Sequence, residues 1–105
     1  MRIVSAASAF PQHYYPQEEL LGTLQEIWGD QIESPHVLRR LHSHVGVDGR
    51  YLALPKEKYL TMKTWGEANH HWIRTAQELG QCAITDALAT AGLQGRELGA
   101  FFLFR

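Results

Sequence analysis

The residues of this 105-residue chain whose types and spacing could do chemistry are few: six histidines, one cysteine and the adjacent pair Arg39-Arg40. His36, Arg40 and His44 are spaced by four, so a helix carries them as one ridge with Arg39 alongside. A guanidinium between two titratable rings can receive phosphate groups, since its planar fork matches their oxygens. The same pattern describes a solvated outer face, and spacing alone favours that plainer reading. Metal binding is the second candidate chemistry. His70 and His71 are neighbours, so on a helix they diverge by about 100° and cannot share an ion. His42 and His44 are splayed in the same way. No CxxC, HExxH or regular Cys/His spacing occurs, so solvated or capping histidines and no metal site are expected. Cys82 lies between Gln81 and Ala83 in a helical stretch, at the border of a small-residue stripe. Burial there would disfavour a thiolate, which makes it a packing residue rather than a nucleophile. GxGxxG, GxxxxGK[ST] and GxSxG are all missing from the sequence, and no carboxylate pair is placed for acid/base work. The residues by themselves carry no complete active site.

The elements that must position these side chains are mostly helical. From Thr64 onward, Trp65, Ala68, Trp72, Ile73 and Ala76 continue into a stripe of Leu79, Gly80, Ala83, Ile84, Ala87 and Ala91, with Glu78, Gln81 and Thr85 opposite. So many small residues permit close approach to a sheet or a second helix. Ala91-Gly92-Leu93 ends the helix, with Gly at the left-handed position and Leu folding back. After the polar linker Gln94–Glu97, Gly99-Ala100-Phe101-Phe102-Leu103-Phe104 has no alternation and reads as a strand that wants cover on both faces, as in a parallel sheet. The sequence halts at Arg105 directly behind that strand, which leads to the expectation of an incomplete domain. Upstream, Ile3–Phe10 reads as a buried first strand stopped by Pro11, and Gln12–Tyr15 as a loop. Pro16 suits a first helical position, followed by Glu18 and Glu19 in the first turn and a stripe of Leu20, Leu21, Leu24, Ile27 and Trp28 closed by Gly29. Ser34 caps a second helix, with Pro35 behind it, Val37, Leu38, Leu41 and Val45 facing inward, and Gly46 ending it. Asp48-Gly49 marks a turn, Arg50–Leu54 an extended segment up to Pro55, and Lys56–Met62 a short helical turn packing Tyr59 and Leu60.

Composition bounds the class. The length allows one domain at most, residues 1–105, with a modest core. A net charge of −1, with both signs scattered, argues against nucleic acid. That balance also speaks against a helix-turn-helix reading of the two helices around Gly29–Ser34. One cysteine excludes an intramolecular disulfide, so a reducing, cytoplasmic setting is the default. The segment Met1–Ala9 is too short and Ser-rich for a signal core, and no run approaches a membrane span. The order strand, helix, helix, short strand, long helix, strand gives an α/β class with an incomplete layered sheet.

One longer pattern adds to this reading. Gly49-Arg50-Tyr51-Leu52-Ala53-Leu54-Pro55, then Tyr59, Trp65, Asn69, Trp72, Ala76-Gln77-Glu78-Leu79-Gly80-Gln81-Cys82-Ala83, Ala87-Leu88 and Ala91-Gly92-Leu93 resemble the amino-terminal region of the chalcone/stilbene synthase family, the type III polyketide synthases, in its bacterial form. The related third-type ketoacyl-carrier-protein synthases share several of these features, and the aromatic residues of Tyr59–Trp72 tilt the likeness toward polyketide synthases. The resemblance implies a partial thiolase-like fold, a homodimer when complete, and acyl-CoA and malonyl-CoA as substrates with no cofactor or metal. It also implies that the nucleophilic Cys and its His and Asn partners follow the strand at 101–104, so that none lies in residues 1–105 and Cys82 is not their counterpart. The family meets coenzyme A phosphates with basic residues on the helix matching residues 34–45. Arg40 matches one such position, His44 stands where the family has Lys, and Val37 replaces a further basic residue. A non-catalytic module that adds the strand at 100–104 to a partner's sheet is the reading from another class.

Overall fold

The structure, a computed structural model, describes residues 2–103. Its elements are β1 (His13–Pro16), α1 (Gln17–Trp28), a 3₁₀ turn (Gly29–Gln31), α2 (Pro35–His44), β2 (Gly49–Leu52), α3 (Lys56–Thr61), α4 (Trp65–Ala91) and a second 3₁₀ turn (Gly95–Glu97). β1 and β2 form a two-stranded antiparallel sheet in the register His13 to Leu52, Tyr14 to Tyr51, Tyr15 to Arg50 and Pro16 to Gly49. Helices and a small sheet together fit the α/β class, while a layered sheet is not formed among the described residues.

The helices follow their local signals closely. Pro16 is the N-cap of α1 rather than its first turn, with φ −58° and ψ 149°. Gly29 closes α1 as its C-cap, as expected, and the chain runs on from it into a 3₁₀ turn. The backbone carbonyl of Ser34 accepts from the N–H groups of Val37 and Leu38, so the cap acts through its main chain and its hydroxyl is not used. Gly46, at φ 68°, turns the chain after α2. α4 is bounded at both ends by its own residues. The Thr64 hydroxyl accepts from the Glu67 N–H at 3.2 Å, and Gly92, at φ 66°, lets its N–H reach Ala89 O while Leu93 N–H reaches Leu88 O.

The strands depart from expectation. Ile3–Phe10 is not a strand; its one anchor of this kind is the Ser5 hydroxyl, which donates to the Ala87 carbonyl at 2.7 Å. Residues 99–103 are likewise not a strand, and Phe104 lies outside the described residues. A strand is stabilised by the hydrogen bonds of a neighbour, and no described segment runs beside either one. The expected loop Gln12–Tyr15 supplies most of β1 instead, because Gly49–Leu52 folds back against it. Gly49 is required there: a Cβ would collide with the Tyr14 side chain and the Tyr15 carbonyl oxygen.

The core is correspondingly small. Leu20 and Leu21 of α1 are its buried apolar side chains, both 8% exposed, and Gln17 is a buried polar one. Of the residues expected to face inward from α2, Val37, Leu41 and Val45 are exposed and Leu38 is half-buried. α4 buries no residue at all, and Trp65, Trp72 and Ile73 stand in solvent. A folded monomer of this mass would expose about 6,000 Å², whereas this chain exposes 8779 Å². Its radius of gyration is 18.1 Å, against about 13 Å for a compact chain of this length. Both excesses have one origin, an α4 and two flanking segments that pack on little else.

Candidate functional site on the second helix

α2 carries the ridge that the spacing predicts. His36, Arg40 and His44 are all exposed along it, as is Arg39. Among the described residues neither arginine has a carboxylate within ion-pair distance, so both guanidiniums remain available to an anion.

His44 is less free. Its Nδ1 lies 2.7 Å from the Arg40 carbonyl oxygen, and the Ser43 hydroxyl donates to the same oxygen at 2.8 Å. Because a carbonyl only accepts, Nδ1 must carry a proton. The ring therefore folds back on the last turn of α2 as a further donor to that carbonyl. A second N–H, at Nε2, exists only in the imidazolium form. His44 can thus assist Arg40 with an anion when protonated, while a neutral ring presents an acceptor.

On the opposite side, α2 faces α1 across an open cleft of ≈ 780 Å³ lined in part by Gln17, Glu18, Arg39, His42, Ser43 and Asp48. The Gln17 amide nitrogen lies 2.6 Å from His42 Nδ1. An amide nitrogen only donates, so here Nδ1 accepts and the ring proton sits on Nε2. Gln17 also donates its backbone N–H to Asp48 O at 2.8 Å. Its Oε1 is buried without a partner among the described residues. This pair escaped the sequence reading because it joins residues 25 apart, which no helical or strand period connects. A glutamine at the first position of α1 was its one visible trace.

The other candidates stay apart. Cys82 is exposed rather than packed into the stripe as expected, because nothing covers α4 on that side. His70 and His71 meet edge to face with centroids 6.2 Å apart. Among the described residues no three His, Cys, Asp or Glu side chains gather into a metal-ligating group, and no helix is long and apolar enough to cross a membrane.

No family model matches the chain. Over 96 residues it is 32% identical to the 1,3,6,8-tetrahydroxynaphthalene synthase of Streptomyces peucetius subsp. caesius. The match takes in 91% of this chain and 26% of that protein, so the chain spans about a quarter of the length of the curated relative it matches. Along almost all of its residues the chain is thus similar to a bacterial type III polyketide synthase of the chalcone synthase family.

Proposed function

We propose that the chain serves as the amino-terminal portion of a type III polyketide synthase, contributing coenzyme A contacts rather than the reacting thiol. The complete enzyme transfers an acyl group from coenzyme A to a cysteine. It then extends that group by decarboxylative condensation with malonyl-CoA. A thiolate forms the thioester, and a His–Asn pocket stabilises the enolate left after loss of carbon dioxide. These groups, the thiolase-like fold and the homodimer belong to the complete enzyme. What carries this reading is the 32% identity over 96 residues. The relative's name also favours a polyketide synthase over a ketoacyl-carrier-protein synthase.

Within this chain Arg40 is the contact for the coenzyme A phosphates, supported by its exposure and by its having no carboxylate partner among the described residues. His44 is a secondary contact in its imidazolium form. In a complete enzyme carrying these residues, Arg40→Ala raises KM for malonyl-CoA and leaves kcat nearly intact, since it removes binding shared by ground and transition states. Steady-state kinetics check this, and an unchanged KM removes Arg40 from the binding site. The 105-residue chain by itself is expected to release no carbon dioxide from malonyl-CoA; a radiolabel assay that detects release would contradict the assignment of chemistry to other residues.

A further inference from the structure

The helix that bears Arg40 is held in an unusual way. α2 buries no residue, and its apolar side chains Val37 and Leu41 are 44% and 59% exposed. Packing of apolar surface therefore does little to fix the rotation of α2 about its own axis. Among the described residues, one side-chain hydrogen bond joins α2 to α1, from the Gln17 amide to His42 Nδ1. The same glutamine holds the segment after α2 through its backbone bond to Asp48. His42 and Arg40 are two residues apart on one helix, so they occupy nearly opposite faces. A bond on the inner face thus decides where the outer guanidinium stands.

We propose that Gln17 and His42 are positioning residues for anion binding at Arg40: their hydrogen bond sets the rotation of α2 and so presents Arg40 to the phosphates of coenzyme A. This rests on the coenzyme A reading of Arg40 given above. Gln17 suits the role because it is 9% exposed, so its bond to the half-buried His42 is partly shielded from competing water. An amide also pairs with either form of the ring. It donates its nitrogen to a neutral Nδ1, and after turning over it offers its oxygen, now without a partner, to a protonated one. Glu18 and Asp48 from neighbouring segments, with Arg39 and Ser43 of α2 itself, line the cleft around this pair.

The test is titration of the 105-residue chain with coenzyme A, followed by NMR chemical shifts, in a double-mutant cycle. Arg40→Ala weakens binding. Gln17→Leu, which keeps the bulk and removes the bond, weakens it by about 3- to 10-fold, the equilibrium equivalent of one hydrogen bond. In the Arg40→Ala background Gln17→Leu has no further effect, because Gln17 acts only through Arg40. Gln17→Glu supplies a readout that a merely structural role would not move. Its carboxylate accepts from Nδ1–H of His42, so it restores the hydrogen bond and recovers the affinity that Gln17→Leu loses. If Arg40→Ala leaves affinity unchanged, the coenzyme A reading falls. If Arg40→Ala weakens binding but Gln17→Leu does not, or the two effects simply add, the positioning role alone is overturned.

Discussion

The half of the molecule from β1 to α3 and the half built on α4 solve the same problem differently. In the first, short elements interlock. α1 buries Leu20 and Leu21, β1 and β2 pair, Phe10 stacks on Tyr51 at 5.0 Å, and Tyr14 tilts against that same ring. α3 is pinned at its start by the Lys56–Glu19 ion pair and by the Lys56 N–H, which donates to the Tyr15 hydroxyl at 3.1 Å. In the second, a 27-residue helix stands nearly bare, flanked by Ile3–Phe10 and by exposed Phe101, Phe102 and Leu103. The contrast separates structure that is self-contained from structure that is borrowed. A helix satisfies its main chain internally, residue by residue, so α4 persists without a neighbour. A strand cannot, which is why the two most strand-like sequences of the chain form none.

Three experiments press on that contrast, beginning with the largest effect. Leu20→Ala removes a buried side chain from the packed half and costs about 2–4 kcal/mol. Urea unfolding should show it, with hydrogen exchange at β1 and β2 accelerating while much of the α4 helical circular dichroism survives. Loss of all helical signal in the same transition would mean that the two halves are one cooperative unit. Gly92→Ala places a Cβ at φ 66° and costs about 1 kcal/mol, confined to the end of α4. Amide exchange of residues 88–91 reports it, and a change at β1 or β2 would contradict the separation. The smallest effect comes from Lys56. Its hydrogen bond to Glu19, aided by the charges of Glu19 and Glu57 and opposed by partial desolvation, raises its pKa above the ordinary lysine value. A cation favoured in the folded state stabilises it fully below the unfolded pKa, and that contribution is lost as pH rises through the raised folded value. Melting followed above about pH 10.5, the ordinary lysine range, should therefore show a slight loss that Lys56→Met abolishes.

How much the sequence disclosed follows the same division. The three long helices, the start at Thr64, the Gly92 stop and the ridge bearing Arg40 and His44 were all legible, since each depends on residues within a turn or two of one another. The burial of their faces was not. Periodicity says which side of a helix is apolar and cannot say what lies against it, so Trp72 and Ile73 are in solvent despite a clear stripe. β1 reads as a loop because His13-Tyr14-Tyr15-Pro16 has no alternation and its partners lie far along the chain, from Gly49 to Leu52. Spacing and family likeness single out Arg40 as a candidate, while Gln17 and His42 required the fold to bring them together.

The limits of α4 are written into its two ends. At 1.5 Å per residue its axis measures about 40 Å, a span dictated by a threonine hydroxyl and a left-handed glycine and by nothing that leans on it. It is a gauge cut before use: whatever polypeptide comes to lie along it meets a fixed rail, and must conform to that rail's length.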